Sequence, residues 1–158
     1  MTPSCVIDLP TPRGFVRLRN MARWGDVTPE QARRALSHSV MGICLYDAVA
    51  KKEVSKAENK AQEPIRELIG MARLVGDGVF NVYIQDVIVK PCYQRQGLGR
   101  IMLKALIVNM TKTLDADCTI GLMAANGQSG FYTQFGFKAR PRTGFGAAMS
   151  AQLKDLSL

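Results

Sequence analysis

Residues 85–106 read QDVIVKPCYQRQGLGRIMLKAL, and few folds accept that succession. The β-branched run Val87, Ile88, Val89 stops at Pro91, and a glycine-bearing turn follows: Gln94, Arg95, Gln96, Gly97, Leu98, Gly99. Beyond it Leu98, Ile101, Met102, Ala105 and Leu106 recur at a helical period. A strand that leads through such a turn into a helix start converges main-chain N–H groups and the positive end of the helix dipole on one point. That is an anion site, most simply one for phosphate. Glycine lets a ligand approach closely because no Cβ intervenes.

With 158 residues, one domain spanning residues 1–158 is the expectation, with room for a sizeable core. No apolar run reaches the roughly 18 residues that cross a bilayer, so no membrane association is expected. The first twenty residues lack the basic start and apolar middle of a signal peptide. Arg13, Arg17, Arg19 and Arg23 give them a transit-peptide flavour, but Arg17 and Arg19 alternate with Val16 and Leu18 in the manner of an edge strand. A cytoplasmic protein is expected, with organellar import left open. The four cysteines, Cys5, Cys44, Cys92 and Cys118, form no C-x-x-C pair and suit neither a zinc site nor a disulfide framework; no metal is expected. The net charge of +8 attracts polyanions, yet the basic residues are dispersed and no aromatic residues interleave with them to stack bases. A solvated basic surface that assists a phosphorylated ligand is expected, and no nucleic-acid partner.

Along the chain, residues 14–19 read as a first strand. Thr28, Pro29 and Gln31 open a helix with a capping box, which should run to about Ser39 with Ala32, Ala35 and Leu36 inward. Residues 40–46 read as a buried strand. Residues 48–64 are polar, with Lys52, Lys56 and Lys60 beside Glu53 and Glu58, and read as a mobile insertion in a strand 2–3 hairpin. Residues 65–75 form a strand that turns at Gly76-Asp77-Gly78 into a strand over 80–90. A helix over 98–112, a short strand over 118–123 and a short helix over 129–135 ended by Gly136 follow. Two closing strands are expected at 137–140 and 145–150.

The turn fits neither common nucleotide fingerprint. A P-loop needs Lys-Ser or Lys-Thr after its glycine turn, and G-x-G-x-x-G fails at Met102. What remains is Q-x-x-G-x-G (Gln94, Gly97, Gly99) behind V-x-P-x-Y (Val89, Pro91, Tyr93). This resembles the acetyl-CoA-binding motif of the GNAT superfamily of N-acetyltransferases. A second stretch, Phe131-Tyr132-Thr133-Gln134-Phe135-Gly136-Phe137, resembles the family's F-Y-x-x-x-G-F. Residues 69–73 (IGMAR) and Asp86 before V-x-V further resemble the branch that acetylates arylalkylamines such as serotonin.

The resemblance implies an α/β (α+β) GNAT fold: a mixed sheet of about six to seven strands, splayed between strands 4 and 5, with helices on both faces. It implies acetyl-CoA as co-substrate and a small-molecule amine as acceptor, attacked directly in a ternary complex. A protein N-terminus or lysine as acceptor, or a non-catalytic acyl-CoA sensor, are the alternatives, and a homodimer is a compatible assembly. The main chain of Val87, Ile88 and Val89 would hold the pantetheine arm. The amides of Gln94, Arg95, Gln96, Gly97, Leu98, Gly99 and Arg100 would hold the pyrophosphate, with Asn126 and Ser129 touching the cofactor. Tyr132 would protonate the leaving thiolate. Tyr83, Gln85 and Val87 should share one strand face, with Tyr83, Gln85 and Trp24 lining the acceptor pocket. Asp86, expected on the opposite face, is the carboxylate candidate for catalysis or a structural acceptor.

Overall fold

The computed structural model describes residues 3–49, 65–144 and 146–149. In chain order they form β1 (Ser4–Val6), α1 (Pro12–Met21), α2 (Pro29–Ser37), β2 (Ser39–Val49), β3 (Ile65–Gly76) and β4 (Asn81–Val89). A 3-10 turn (Pro91–Tyr93), α3 (Leu98–Thr113), β5 (Thr119–Leu122) and α4 (Ser129–Thr133) follow. The chain divides into two compact units, residues 1–122 and 123–158.

In the first unit the strands lie in sequence order, β1-β2-β3-β4-β5. The first four pair antiparallel, and β5 runs parallel to β4 after a crossover through α3, as parallel pairing requires. α1 and α2 cover one face: Phe15, Leu18, Ala32 and Leu36 pack on Cys44, Leu68, Met71 and Ile88. Period-2 alternation sends Ile43 and Leu45 to the other face. There α3 packs against β2, β3 and β4 and buries Leu98, Met102, Leu103, Leu106 and Met110.

The segment expected as a first strand at 14–19 lies inside a helix, α1. Thr11, extended, accepts from the Gly14 amide at 3.1 Å, and Pro12 occupies the first turn, both helix-start devices. Phe15 and Leu18, three residues apart, are the helix's buried residues. Four alternating residues fit either period, and the apolar pair decided the outcome. The strand that pairs with β2 at the edge is β1 instead. α2 opens as its sequence implies: Thr28 Oγ1 accepts from Gln31 N at 3.1 Å and Gln31 Oε1 accepts from Thr28 N at 2.8 Å.

β2 and β3 pair antiparallel from Ser39↔Val75 to Val49↔Ile65. From residue 50 to 64 the expected polar insertion lies outside the described residues. The β3–β4 turn is held by Asp77, whose Oδ1 accepts from the amides of Val79, Phe80 and Asn81 at 2.8, 2.9 and 2.9 Å. Those backbone donors lower its carboxyl pKa. Gly76 is required there, because a Cβ would lie 2.2 Å from the Asn81 carbonyl oxygen.

Five strands are present among the described residues, against the six to seven expected, and the mixed α/β class is unchanged. Residues 137–140 form no strand. Phe137 packs edge-on against Tyr132, with centroids 6.2 Å apart, and Pro141 lacks the N–H that would prolong a ladder. Of the last expected strand, 146–149 are irregular, while Phe145 and Ser150 lie outside the described residues. No helix among the described residues is long and apolar enough to cross a membrane.

Leu18, fully buried, should cost about 2–5 kcal/mol when replaced by alanine. Thr28→Ala, which removes only a cap, should cost about 1 kcal/mol. Urea unfolding of the two variants checks the contrast.

Candidate active site

β4 changes character midway. Its ladder with β5 runs from Asn81↔Thr119 to Ile84↔Leu122. Among the described residues, 85–89 have sheet partners on β3 alone. Lys90 N donates to Ile69 O on the β3 side at 2.7 Å. Alternation therefore turns the Ile88 main chain toward β3 and the N–H and C=O groups of Val87 and Val89 toward the open edge. Val89 O accepts from Gln94 Nε2 at 2.9 Å, which ties this edge to the turn that follows.

A bulge lies at the point of change. The register passes from Met71↔Ile88 to Arg73↔Gln85, so Asp86 and Val87 together oppose Ala72. Asp86 takes φ +52°, a left-handed conformation that costs an L-residue about 1–2 kcal/mol. Strict alternation fails here. Gln85 shares the face of its partner Arg73, Ile88 shares that of Met71, and Val87 falls on the opposite face. The expected grouping of Tyr83, Gln85 and Val87 is thus replaced by Tyr83, Gln85 and Asp86 on the side covered by α1 and α2.

The Asp86 side chain is fully buried, with one oxygen accepting from Arg19 Nη1 and the other from Arg73 Nε. Arg73 Nη1 also donates to Ala35 O and Ser39 Oγ, each at 3.1 Å, and Arg19 Nη2 donates to Trp24 O at 3.0 Å. Both guanidiniums lie over the Phe15 ring, at 5.6 and 5.5 Å, and Arg19 also lies 5.8 Å from the Trp24 ring. Trp24 leaves 40% of its surface exposed. The Tyr83 hydroxyl is buried with no hydrogen-bond partner among the described residues, and burial raises its pKa. Sequence reasoning missed Arg19 and Arg73. The only linear signal was a carboxylate inside an apolar strand, which needs a counter-charge somewhere.

After β4, Tyr93 Oη donates to Asp47 Oδ2 and Lys90 Nζ to Glu67 Oε1, both at 2.8 Å. Donation to a carboxylate pushes the Tyr93 pKa up to about 12. These bonds tie the strand exit to β2 and β3. Arg95 and Gly97 take left-handed φ values of +61° and +76°. Gly97 caps α3 without a side-chain acceptor, and the first intrahelical bond is Ile101 N to Gly97 O at 3.1 Å. The amides of Leu98 and Gly99 precede it and so have no carbonyl one turn back. A Cβ built on Gly97 would meet nothing within 4 Å. An anionic group can therefore reach the helix start directly.

In the second unit Asn126 is exposed in a turn and Ser129, also exposed, opens α4. Tyr132 and Phe131 pack edge to face at 5.0 Å, and Phe131 meets Phe135 at 5.6 Å. Burial raises the Tyr132 pKa above its ordinary 10.0. Among the described residues no three His, Cys, Asp or Glu side chains are grouped to hold a metal.

The family model described as "Acetyltransferase (GNAT) domain" matches residues 49–139, more than half of the chain and both motifs. The chain belongs to the GNAT acetyltransferases. Serotonin N-acetyltransferase 2, chloroplastic, of Oryza sativa is 34% identical over 71% of this chain and 48% of its own length. GCN5-related N-acetyltransferase 1, chloroplastic, of Arabidopsis thaliana is 38% identical over 50% of this chain and 39% of its own length. The chain thus spans less than half of these relatives. A probable acetyltransferase from Staphylococcus aureus superimposes with a TM-score of 0.73, covering 96% of this chain and 99% of its own, at 24% identity. That likeness establishes the fold, and β4 of this GNAT domain carries the splay that the fold implies.

Gly97→Ala should destabilise the GNAT domain by about 1–2 kcal/mol through backbone strain and not through a clash. Gly97→Asn, which tolerates the left-handed region, should lose less. Chemical denaturation of the two variants measures the difference.

Proposed function

We propose that the chain is an acetyl-CoA-dependent N-acetyltransferase that acts on the primary amine of a small molecule, by direct attack in a ternary complex. One observation carries this reading: an open strand edge at Val87 and Val89, tied to Gln94 through Val89 O, leads into a helix start whose glycine cap, Gly97, leaves a ligand room. A ligand with an amide-bearing arm and a pyrophosphate fits that sequence of groups, and the residues present fit coenzyme A. Val87 and Val89 would pair with the arm, Ile88 lending its side chain to the strand's packing. Gln94 fixes the turn, and the amides of Arg95, Gln96, Gly97, Leu98 and Gly99, with Arg100, would hold the pyrophosphate. Each charge–dipole term of this kind is worth about 0.3–1 kcal/mol, so several must act together. Asn126 and Ser129 are assigned to the cofactor in the second unit.

Acetyl-CoA supplies the thioester acyl group. Tyr132 is assigned the proton donor to the departing sulfur, and its raised pKa keeps it protonated throughout the neutral range. The acceptor must be neutral to attack, at a cost of about 1.4 kcal/mol for each unit its pKa exceeds the pH. Tyr83 is assigned to order the water that takes the amine's proton, with Gln85 beside it on the same face. A raised phenol pKa suits it to relay and orientation and not to service as a free base. Trp24, half-exposed and stacked on Arg19, is assigned to the acceptor pocket. The rice relative's name supports an arylalkylamine. Histone acetyltransferase TAP1 of Glycine max, 34% identical over 61% of this chain, favours the second reading, a protein acceptor.

Acetyl-CoA at a hundred times its Kd should stabilise the protein by about 2.7 kcal/mol, read as a rise in Tm that grows with the logarithm of ligand concentration; no shift would refute the cofactor assignment. Free-thiol release across arylalkylamines, polyamines and lysine peptides then separates the two acceptor classes. Tyr132→Phe should lower kcat by about 10²-fold or more with little change in acetyl-CoA affinity; unchanged turnover would leave Tyr132 a packing residue. Since the donor works only when protonated, the alkaline fall in kcat should lie above the ordinary phenol value of 10.0 and vanish in Tyr132→Phe.

A further inference from the structure

We propose that Asp86 is a positioning residue: clamped by Arg19 and Arg73, it holds the bulge that presents the main chain of Val87 and Val89 to the pantetheine arm. The inference rests on the coenzyme A reading above. Three observations coincide at one place. The β4–β5 ladder ends at Ile84↔Leu122, and Asp86 lies two residues further on. The register slip on the β3 side falls at Asp86 and Val87. Asp86 itself takes the left-handed backbone with its carboxylate fully buried between two guanidiniums.

The two arginines come from different elements, α1 and β3, and each is anchored elsewhere, Arg19 on the Trp24 carbonyl and Arg73 on the Ala35 carbonyl and Ser39 hydroxyl. The carboxylate is therefore gripped by two side chains that are each anchored elsewhere. Were Asp86 taken into a regular ladder with β3, alternation along β4 would exchange the two sets of main-chain groups. Ile88, and not Val87 and Val89, would then face the open edge. Both carboxylate oxygens are committed to guanidinium donors, so the role assigned to Asp86 is positioning and not proton abstraction.

Adenosine 3′,5′-bisphosphate separates this role from general stability, because it carries the phosphate end of coenzyme A without the pantetheine arm. Calorimetric titration of the full chain with both ligands reads the split. Asp86→Asn should bind coenzyme A about tenfold more weakly, the equivalent of one net hydrogen bond, while its affinity for the bisphosphate stays within about twofold of the parent. Removing a charge from between two buried guanidiniums can prevent folding, so Arg19→Lys, which keeps the charge and loses the fork, is the second variant and should show the same split in smaller degree. In the ligand-free protein, amide hydrogen exchange at Ile88, whose N–H faces β3, should quicken in Arg19→Lys while α3 is unchanged. Equal loss of both ligands, or loss of neither, overturns the positioning role alone. A parent protein that binds neither ligand overturns the transferase reading, and the positioning role falls with it.

Discussion

Main-chain hydrogen bonding within β4 is satisfied on both sides over its first half and on one side over its second. A strand edge left open inside a domain is a liability: its N–H and C=O groups need a partner, and the usual remedies are a charge, a proline, a bulge or a cover. Here the bulge and the proline bracket the open stretch. Asp86 marks its start and Pro91 its end, and Gln94 Nε2 reaches back to satisfy the Val89 carbonyl. The exposed groups are thereby reduced to a short, fixed set. The rest of the first unit keeps that set in place: α1 and α2 press on one face of the sheet, α3 on the other, and Tyr93 bonded to Asp47 locks the exit.

The charge cluster beneath the bulge is unusual in its balance. One carboxylate faces two guanidiniums, which leaves an excess positive charge in a largely buried region. The Phe15 ring, under both guanidiniums at 5.5 and 5.6 Å, offsets part of that excess, since a ring face attracts a cation and costs no hydration of its own. Backbone carbonyls of Trp24 and Ala35 take further N–H donors. The same side chain, Phe15, is thus both core filler and electrostatic partner. Arg19 lies one turn further along the same helix, within reach of that ring.

Local chemistry was legible where it was complete within a few residues. Thr28 and Gln31 cap each other across three positions, and both bonds are present. The strand, turn and helix from Val87 to Leu106 follow in the expected order, although the helix buries Leu103 and leaves Ile101 half-exposed. By contrast, Val16 to Leu18 satisfied two periods at once, and the helix was settled by where Phe15 and Leu18 could be buried, a tertiary fact. The ion pair of Asp86 with Arg19 spans 67 residues of sequence, and no local pattern announces it. The bulge was hidden for a related reason. A period of two is assumed for a strand until an extra residue breaks it, and the residue that does so, an aspartate at positive φ, resembles any other polar residue in a linear reading. At the C-terminal end, the alternation of Phe137, Lys138, Ala139 and Arg140 did not make a strand: the Phe137 ring packs on Tyr132 and Pro141 cuts the run short.

The order of the strands has a consequence for how the fold is reached. β3 and β4 pair antiparallel across the short turn held by Asp77, so that hairpin can assemble early. β1 and β5 differ: β1 meets β2 over three residue pairs, from Ser4↔Tyr46 to Val6↔Cys44, with α1 and α2 between, and β5 meets β4 in parallel over four, from Asn81↔Thr119 to Ile84↔Leu122, with α3 between. Closing such long connections for such short ladders makes β1 and β5 the late and weakly held strands of the unit. The cleft side of β4 is therefore among the last parts of the sheet to form and the first to open.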